Sequence, residues 1–202
     1  VHWGVLVEGF EPQGYGMPYN KPYYGRLFES YGFGEYYRQF TYHFDIRKPP
    51  PPRQLKFAEF LLSRPGQSFR HFDLKNPGPI IRDIVEVMNT TWADFLEDYQ
   101  PVTAADLEAV FRSAKPILVE DFIWLAYKEG RPVGMLVAFP DINQVLARFN
   151  GRLNAWQALR FLRLKKGRTI TRNRLLAAGV VPAVQNTGII NALFLTFLRA
   201  VQ

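Results

Sequence analysis

The stretch AAGVVPAVQNTGIINAL, residues 177–193, decides how the chain is read. Apolar residues run up to Val181, Pro182 stops them, a short polar stretch follows, and an apolar helix pattern begins after Gly188. That is a strand, a turn and a helix. The first turn of such a helix carries N–H groups without intrahelical acceptors and the positive end of the helix dipole. It offers a phosphate site that needs no charged side chain. The stretch has neither the Gly-Lys-Ser/Thr of a Walker A loop nor a GxGxxG fingerprint. Taken alone, it is also an ordinary way for a helix to follow a strand.

Working outward, residues 169–181 read as the strand and 188–201, apolar nearly all round, as a buried helix. The apolar runs 122–127 and 133–139 flank Lys-Glu-Gly-Arg-Pro, which predicts a β-hairpin. Between hairpin and strand, helices are expected over 141–149, capped by Asp141 and stopped by Gly151, and over 156–164. Before the hairpin, the pattern predicts helices at 55–62, from Asn76-Pro77 onward, and at 104–115, with a strand at 69–74. Thr103 and Asp106 form an acidic variant of the capping box. Pro49 to Pro52 favour an extended connector and mark the best domain boundary. Ahead of it, 23–31 has helical spacing ended by Gly32, and the aromatic run 36–44 reads as a strand. The order after the prolines is that of an α/β layered fold.

The chain has 202 residues, 25 Lys+Arg, 18 Asp+Glu, three His and no Cys. The missing cysteines exclude disulfides, thiolate nucleophiles and thiolate metal sites, and three His make a His-rich metal centre unexpected. No uncharged apolar run reaches the roughly 18–20 residues needed to span a bilayer. The charge is uneven. All 18 acids lie within residues 1–141, and the last 61 residues hold ten basic residues and no acid. That asymmetry suggests an anionic partner: a nucleic acid, a phosphorylated cofactor or a membrane surface. A solvated basic face is the plainer alternative. Eight of the ten Tyr lie in the first 42 residues, but beside Glu8, Glu11, Glu29 and Glu35. Rings that stack bases need cations nearby, so packing at a domain edge explains them better.

A family resemblance sharpens this reading. Gln185-Asn-Thr-Gly188-Ile-Ile190 resembles the Gln/Arg-x-x-Gly-x-Gly/Ala loop of the GNAT N-acetyltransferases, and Val180-Val181-Pro182 resembles the strand end before that loop. Glu129-Gly130-Arg131-Pro132-Val133-Gly134 resembles the family's D/E-G-x-x-V-G hairpin, and Phe139-Pro140-Asp141-Ile142-Asn143 a P-D-x-N element. Gly4 to Phe10, Met17 to Tyr24 and Tyr31-Gly32-Phe33 resemble the end of the first half of long bacterial GNAT-like proteins with two related halves. The resemblance implies an α/β fold with a mixed central sheet flanked by helices, incomplete at the C-terminus. It makes residues 1–48 the end of one module, 49–52 a linker, and 53–202 the N-terminal and cofactor-loop part of a second. It implies acetyl-CoA, or CoA, bound by Gly179, Val180, Val181, Gln185, Asn186, Thr187, Gly188, Ile189 and Ile190. The implied reaction is direct acetyl transfer to an unidentified amine, with a strand amide near Gly179 or Val180 stabilising the oxyanion. Arg172 and Arg174 are candidates for the CoA phosphates.

Three features depart from the family pattern. Ile190 stands where Gly or Ala is usual. Phe28 takes the place of a tyrosine proposed as general acid, leaving Tyr24, one turn earlier, as the catalytic candidate. Residues 169–181 hold no carboxylate, so a base would come from Glu120, Asp121, a water chain or the missing later segment of the module. A degenerate, non-catalytic interaction domain is therefore an alternative. A second is a nucleic-acid module using the basic stretch 148–174, with Trp156 and Phe161 stacking on bases. His71 with Asp73 reads as strand surface and Glu97 with Asp98 as a solvated helix end. Ser63, Ser68 and Ser113 lack a nucleophile elbow. The chain opens at Val1 and closes in a helical pattern, so it is expected to be a piece of a longer protein, cytoplasmic by default for want of a signal pattern.

Overall fold

The computed structural model describes residues 4–93, 99–152, 154–165 and 169–202. Glu97 and Asp98, and Lys166 and Arg168 of the basic stretch, lie outside the described residues. In chain order the elements are α1 (Tyr23–Ser30), α2 (Pro52–Leu62), β1 (Gln67–His71), α3 (Pro77–Trp92), α4 (Ala104–Ala114), β2 (Ile123–Lys128), β3 (Arg131–Pro140), α5 (Asn143–Leu146), α6 (Ala155–Lys165), β4 (Asn173–Val180) and α7 (Ile189–Val201). They fall into two compact units. One is Val1–Asp45 with Asp141–Arg172; the other is Ile46–Pro140 with Asn173–Gln202.

The second unit is the expected α/β layering. Its strands pair in the order β1-β2-β3-β4, each antiparallel to the next. Glu129 (φ 52°) and Gly130 (φ 78°) make the two-residue turn of the predicted hairpin. Two successive positive φ values are those of a type I′ turn, whose twist matches that of the strands. Alternation along the strands, interrupted at Val133 by the bulge opposite Ala126 and Tyr127, then sorts the core into two layers. Leu125, Met135 and Val137 join Phe72, Ile84, Val87 and Phe111 on the side of α3 and α4. Ala126, Val133, Leu136 and Ala138 meet Ile189, Leu193 and Phe197 of α7 on the other. Leu125, Met135 and Leu193 are fully buried, each contributing about 2 kcal/mol of transfer free energy.

Local signals explain most element ends. Thr103 Oγ1 accepts from Asp106 N, and Asp106 Oδ2 accepts from Thr103 N, so the capping box opens α4 as expected. Pro52 stands at the start of α2, where a missing N–H costs no intrahelical bond; the helix begins three residues earlier than predicted. In the first unit, Gly32 (φ 88°) ends α1. Phe33 N donates to Phe28 O across that end and the two rings meet at 5.6 Å, the pattern of a Schellman cap.

Three expectations need correction. Residues 36–44 form no strand, and Tyr36 and Tyr42 are 95% and 86% exposed. Strands need a partner edge as well as β-forming residues, and among the described residues none pairs with this run. The strand expected over 169–181 starts only at Asn173, because Thr171 N and Arg172 N donate to Gln144 Oε1 at 2.9 and 3.1 Å. The helix expected over 141–149 is the short α5 followed by a 3-10 turn, Ala147–Phe149.

Tyr127 shows how a polar group is carried inside this core. The residue is 4% exposed, its hydroxyl donates to Asp83 Oδ2 at 2.6 Å, and the Arg70 guanidinium lies 4.8 Å from the ring centre. Burial first, and then the Asp83 carboxylate, raise its pKa above the ordinary 10.0. The fold therefore favours the protonated phenol. That stabilisation is complete below pH 10 and is lost as the pH climbs beyond it. Tyr127→Phe is expected to cost about 1.5 kcal/mol at neutral pH and to flatten the alkaline fall in stability, read by denaturant melts at pH 7 to 11. An unchanged alkaline slope would sink the assignment.

Candidate functional site

The strand–turn–helix that opened the sequence reading lies wholly within the second unit. Val181 N donates to Val133 O at 2.9 Å, one step past the last paired residues of β4. Because groups alternate along an antiparallel strand, the N–H and C=O of Val180 then face the other edge. Among the described residues no strand lies there: β4 ends the sheet. Gly179 faces α3, where an added Cβ would stand 3.0 Å from Thr91 Cγ2 and 3.1 Å from the Trp92 ring.

After β4 the chain makes a 3-10 turn, Pro182–Val184, and then a second turn. In it Thr187 N and the Thr187 hydroxyl both donate to Val184 O, at 3.3 and 2.7 Å. Gln185 is extended (φ −57°, ψ 148°) and Asn186 is left-handed (φ 63°). This is a type II turn, and asparagine tolerates its second central position. Gly188 follows at φ 84° and caps α7. The amides of Asn186, Gly188, Ile189 and Ile190 meet no acceptor among the described residues, and Gln185, Asn186 and Thr187 are exposed. The arrangement is a cluster of backbone donors at the positive end of a 13-residue helix.

Helix α2 supports that cluster from the side. A Cβ on Gly188 would overlap the Phe57 ring, with Phe57 Cζ at 2.7 Å and Leu61 Cδ1 at 3.0 Å. Glycine is therefore required twice, by its φ and by its neighbours. Arg199 of α7 pairs with Glu59 of α2 at 2.6 Å, but both are about half exposed, so this pair adds little. Ile190, the departure in the loop, is half-buried against the cluster of Val184, Ile189 and Leu193.

The sequence-derived donor residues, Gly179 to Val181 and Gln185 to Ile190, thus form one continuous feature. Tyr24 belongs to the first unit, where it is 39% exposed and stacked on Tyr23 at 5.0 Å. The suggested bases diverge: Glu120 accepts from Leu74 N at 2.7 Å, while Asp121 is exposed. Arg172 lies in the first unit and pairs with buried Asp141 at 2.9 Å. Arg174 is half-buried on β4 opposite Phe139, and burial lowers its pKa.

Sequence reading missed the role of Asp141. Its carboxylate, 3% exposed, accepts from Tyr15 N at 2.9 Å and from Asn143 N at 3.2 Å as well as holding Arg172. An open cleft of about 420 Å³ lies beside it, lined by Gln13, Met17, Tyr19, Asn143, Gln144 and other first-unit residues. Among the described residues no three His, Asp or Glu side chains cluster as a metal site, and no helix is long and apolar enough to cross a membrane.

Two curated proteins resemble the chain. It is 26% identical over 152 residues to a bacterial ceramide synthase of Caulobacter vibrioides (strain NA1000 / CB15N), covering 74% of this chain and 39% of that protein. It is 24% identical over 157 residues to Protein YghO of Escherichia coli (strain K12), covering 74% of this chain and 38% of that protein. The chain thus spans about two-fifths of the length of these relatives. No family model matches it.

Proposed function

We propose that this chain carries the donor-binding part of an N-acyltransferase, which moves an acyl group from a CoA thioester to an amine. The observation that carries the proposal is the join of β4 to α7. The amides of Gly188, Ile189 and Ile190 would take the CoA pyrophosphate, and the open edge of β4 would take the amides of the pantetheine arm. The Val180 N–H faces that edge, where it would donate to the thioester carbonyl oxygen as negative charge grows on it. Residues 53–202 would be the N-terminal and cofactor-loop part of a GNAT-like module. The name of the Caulobacter relative supports the acyl-transfer reading. A ceramide is the amide of a long-chain amino alcohol with a fatty acid, so making one from the amine is an N-acylation. Acetyl-CoA is the smallest donor compatible with the proposal. The relative's name argues for longer acyl chains and for an amino alcohol as acceptor.

A non-catalytic version of the same module is kept as a second reading. Residues Asn173–Val180 supply no carboxylate, and Phe28 stands where the resemblance expects a tyrosine.

The test is a thermal-shift titration of the full-length protein with acetyl-, octanoyl- and palmitoyl-CoA, with CoA and dephospho-CoA beside them. A saturable rise in melting temperature is expected, about 2.7 kcal/mol of stabilisation at a hundredfold excess over Kd. The rise should be largest for the preferred chain length. No shift at millimolar CoA or acyl-CoA would overturn donor binding. A shift without amide formation from any long-chain amino alcohol would select the non-catalytic reading.

A further inference from the structure

We propose that helix α6 is a membrane-surface helix that seats the protein on anionic lipid. Trp156, Leu159 and Leu162 are 75%, 59% and 50% exposed. At 100° per residue they fall on one side of α6, together with exposed Ala155 and Ala158. Arg160 stands at the edge of that side and Arg163 on it, between Leu159 and Trp156; both are exposed, and neither meets a carboxylate among the described residues. Gln157, Phe161 and Leu164 make up the half-buried side. The helix thus turns three large apolar side chains outward together with two arginines, where an ordinary surface helix shows polar side chains.

That outward side is well formed. Asn154 Oδ1 accepts from Gln157 N at 2.9 Å and Gln157 Oε1 accepts from Asn154 N at 3.0 Å, a reciprocal cap that fixes the start of α6. Its eleven residues span about 16 Å, too short to cross a bilayer and enough to lie along one. Indole and leucine side chains would enter the boundary between headgroups and acyl chains while the guanidinium groups stay with lipid phosphates. Charge points the same way: from Ile142 onward the chain carries no acid to repel an anionic surface. A nucleic acid suits this surface less well. Bases stack on aromatic rings, and Leu159 and Leu162, which dominate the exposed side with Trp156, have none.

The experiment is co-sedimentation of the full-length protein with phosphatidylcholine vesicles, with and without phosphatidylglycerol. Binding is expected only with phosphatidylglycerol present. Leu159→Ser with Leu162→Ser should weaken it by about tenfold or more. Arg160→Gln with Arg163→Gln should weaken it too and reduce its salt sensitivity. Circular-dichroism melts accompany both variants. An unchanged melting temperature is expected, because the altered side chains face outward. Any of four results would overturn the proposal: no vesicle binding, binding indifferent to the leucine pair, a lowered melting temperature showing that other protein covers this side, or displacement of vesicles by a single-stranded oligonucleotide.

Discussion

Gly188→Val is expected to destabilise the full-length protein by about 3–5 kcal/mol. The left-handed φ of 84° costs an ordinary residue about 1–2 kcal/mol and a β-branched one more. Overlap of the new side chain with Phe57 and Leu61 adds about 1–3 kcal/mol. The two causes separate in a double-mutant cycle. Phe57 is 43% exposed, so Phe57→Ala opens space with modest damage of its own. Combined with Gly188→Val it should return the packing part and leave the backbone part. The ligand readout follows the same logic. If the turn presents its amides as proposed, CoA should cease to raise the melting temperature of the Gly188→Val protein even where it remains folded. A variant that melts like the parent and still responds to CoA would remove the turn from the site.

Asp141→Ala is the second large effect, expected at about 3 kcal/mol. One buried carboxylate accepts from two backbone amides and an arginine. Removing it leaves Tyr15 N and Asn143 N without that acceptor and Arg172 without its counter-charge, a loss that buried pairs do not tolerate well. Arg172 is 42% exposed and regains water, which keeps the figure below the upper end for buried pairs. Amide hydrogen exchange localises the effect: protection should fall at Tyr15 and Asn143, with little change at Leu125 or Met135. Uniform loss across the sheet, or no loss at Tyr15, would contradict this account. Asp141→Asn separates charge from shape, since its carbonyl oxygen still accepts one of these bonds.

How far the sequence spoke depended on whether each signal was local. The capping box at Thr103, the Glu129-Gly130 turn and Gly188 after a polar turn were legible, because each element is decided by a few neighbouring residues. The turn from Val184 to Gly188 was legible for the same reason. The run 36–44 was misread because its aromatic, β-forming residues describe a strand's composition and say nothing of a partner edge. The start of β4 was misplaced by four residues because a distant side chain, Gln144, takes the amides of Thr171 and Arg172. Asp141 was read as a simple helix cap; its bond to Tyr15, 126 residues away, leaves no trace in local pattern. The buried Thr91 hydroxyl, which meets no hydrogen-bond partner among the described residues, has no such account.

Adjacent strands can be neighbours in the sheet without being neighbours in the chain, and β3 and β4 are such a pair. Pro140 and Asn173 face each other in register, yet residues 141–172 intervene, where β2 and β3 are joined by only Glu129 and Gly130. Closing the longer connection costs roughly 2.5 kcal/mol more in chain entropy. Loop closure therefore favours early formation of the β2–β3 hairpin and later pairing of β4, which brings with it the turn proposed to bind the donor. The part of the second unit closest to the proposed chemistry is then the last to be completed.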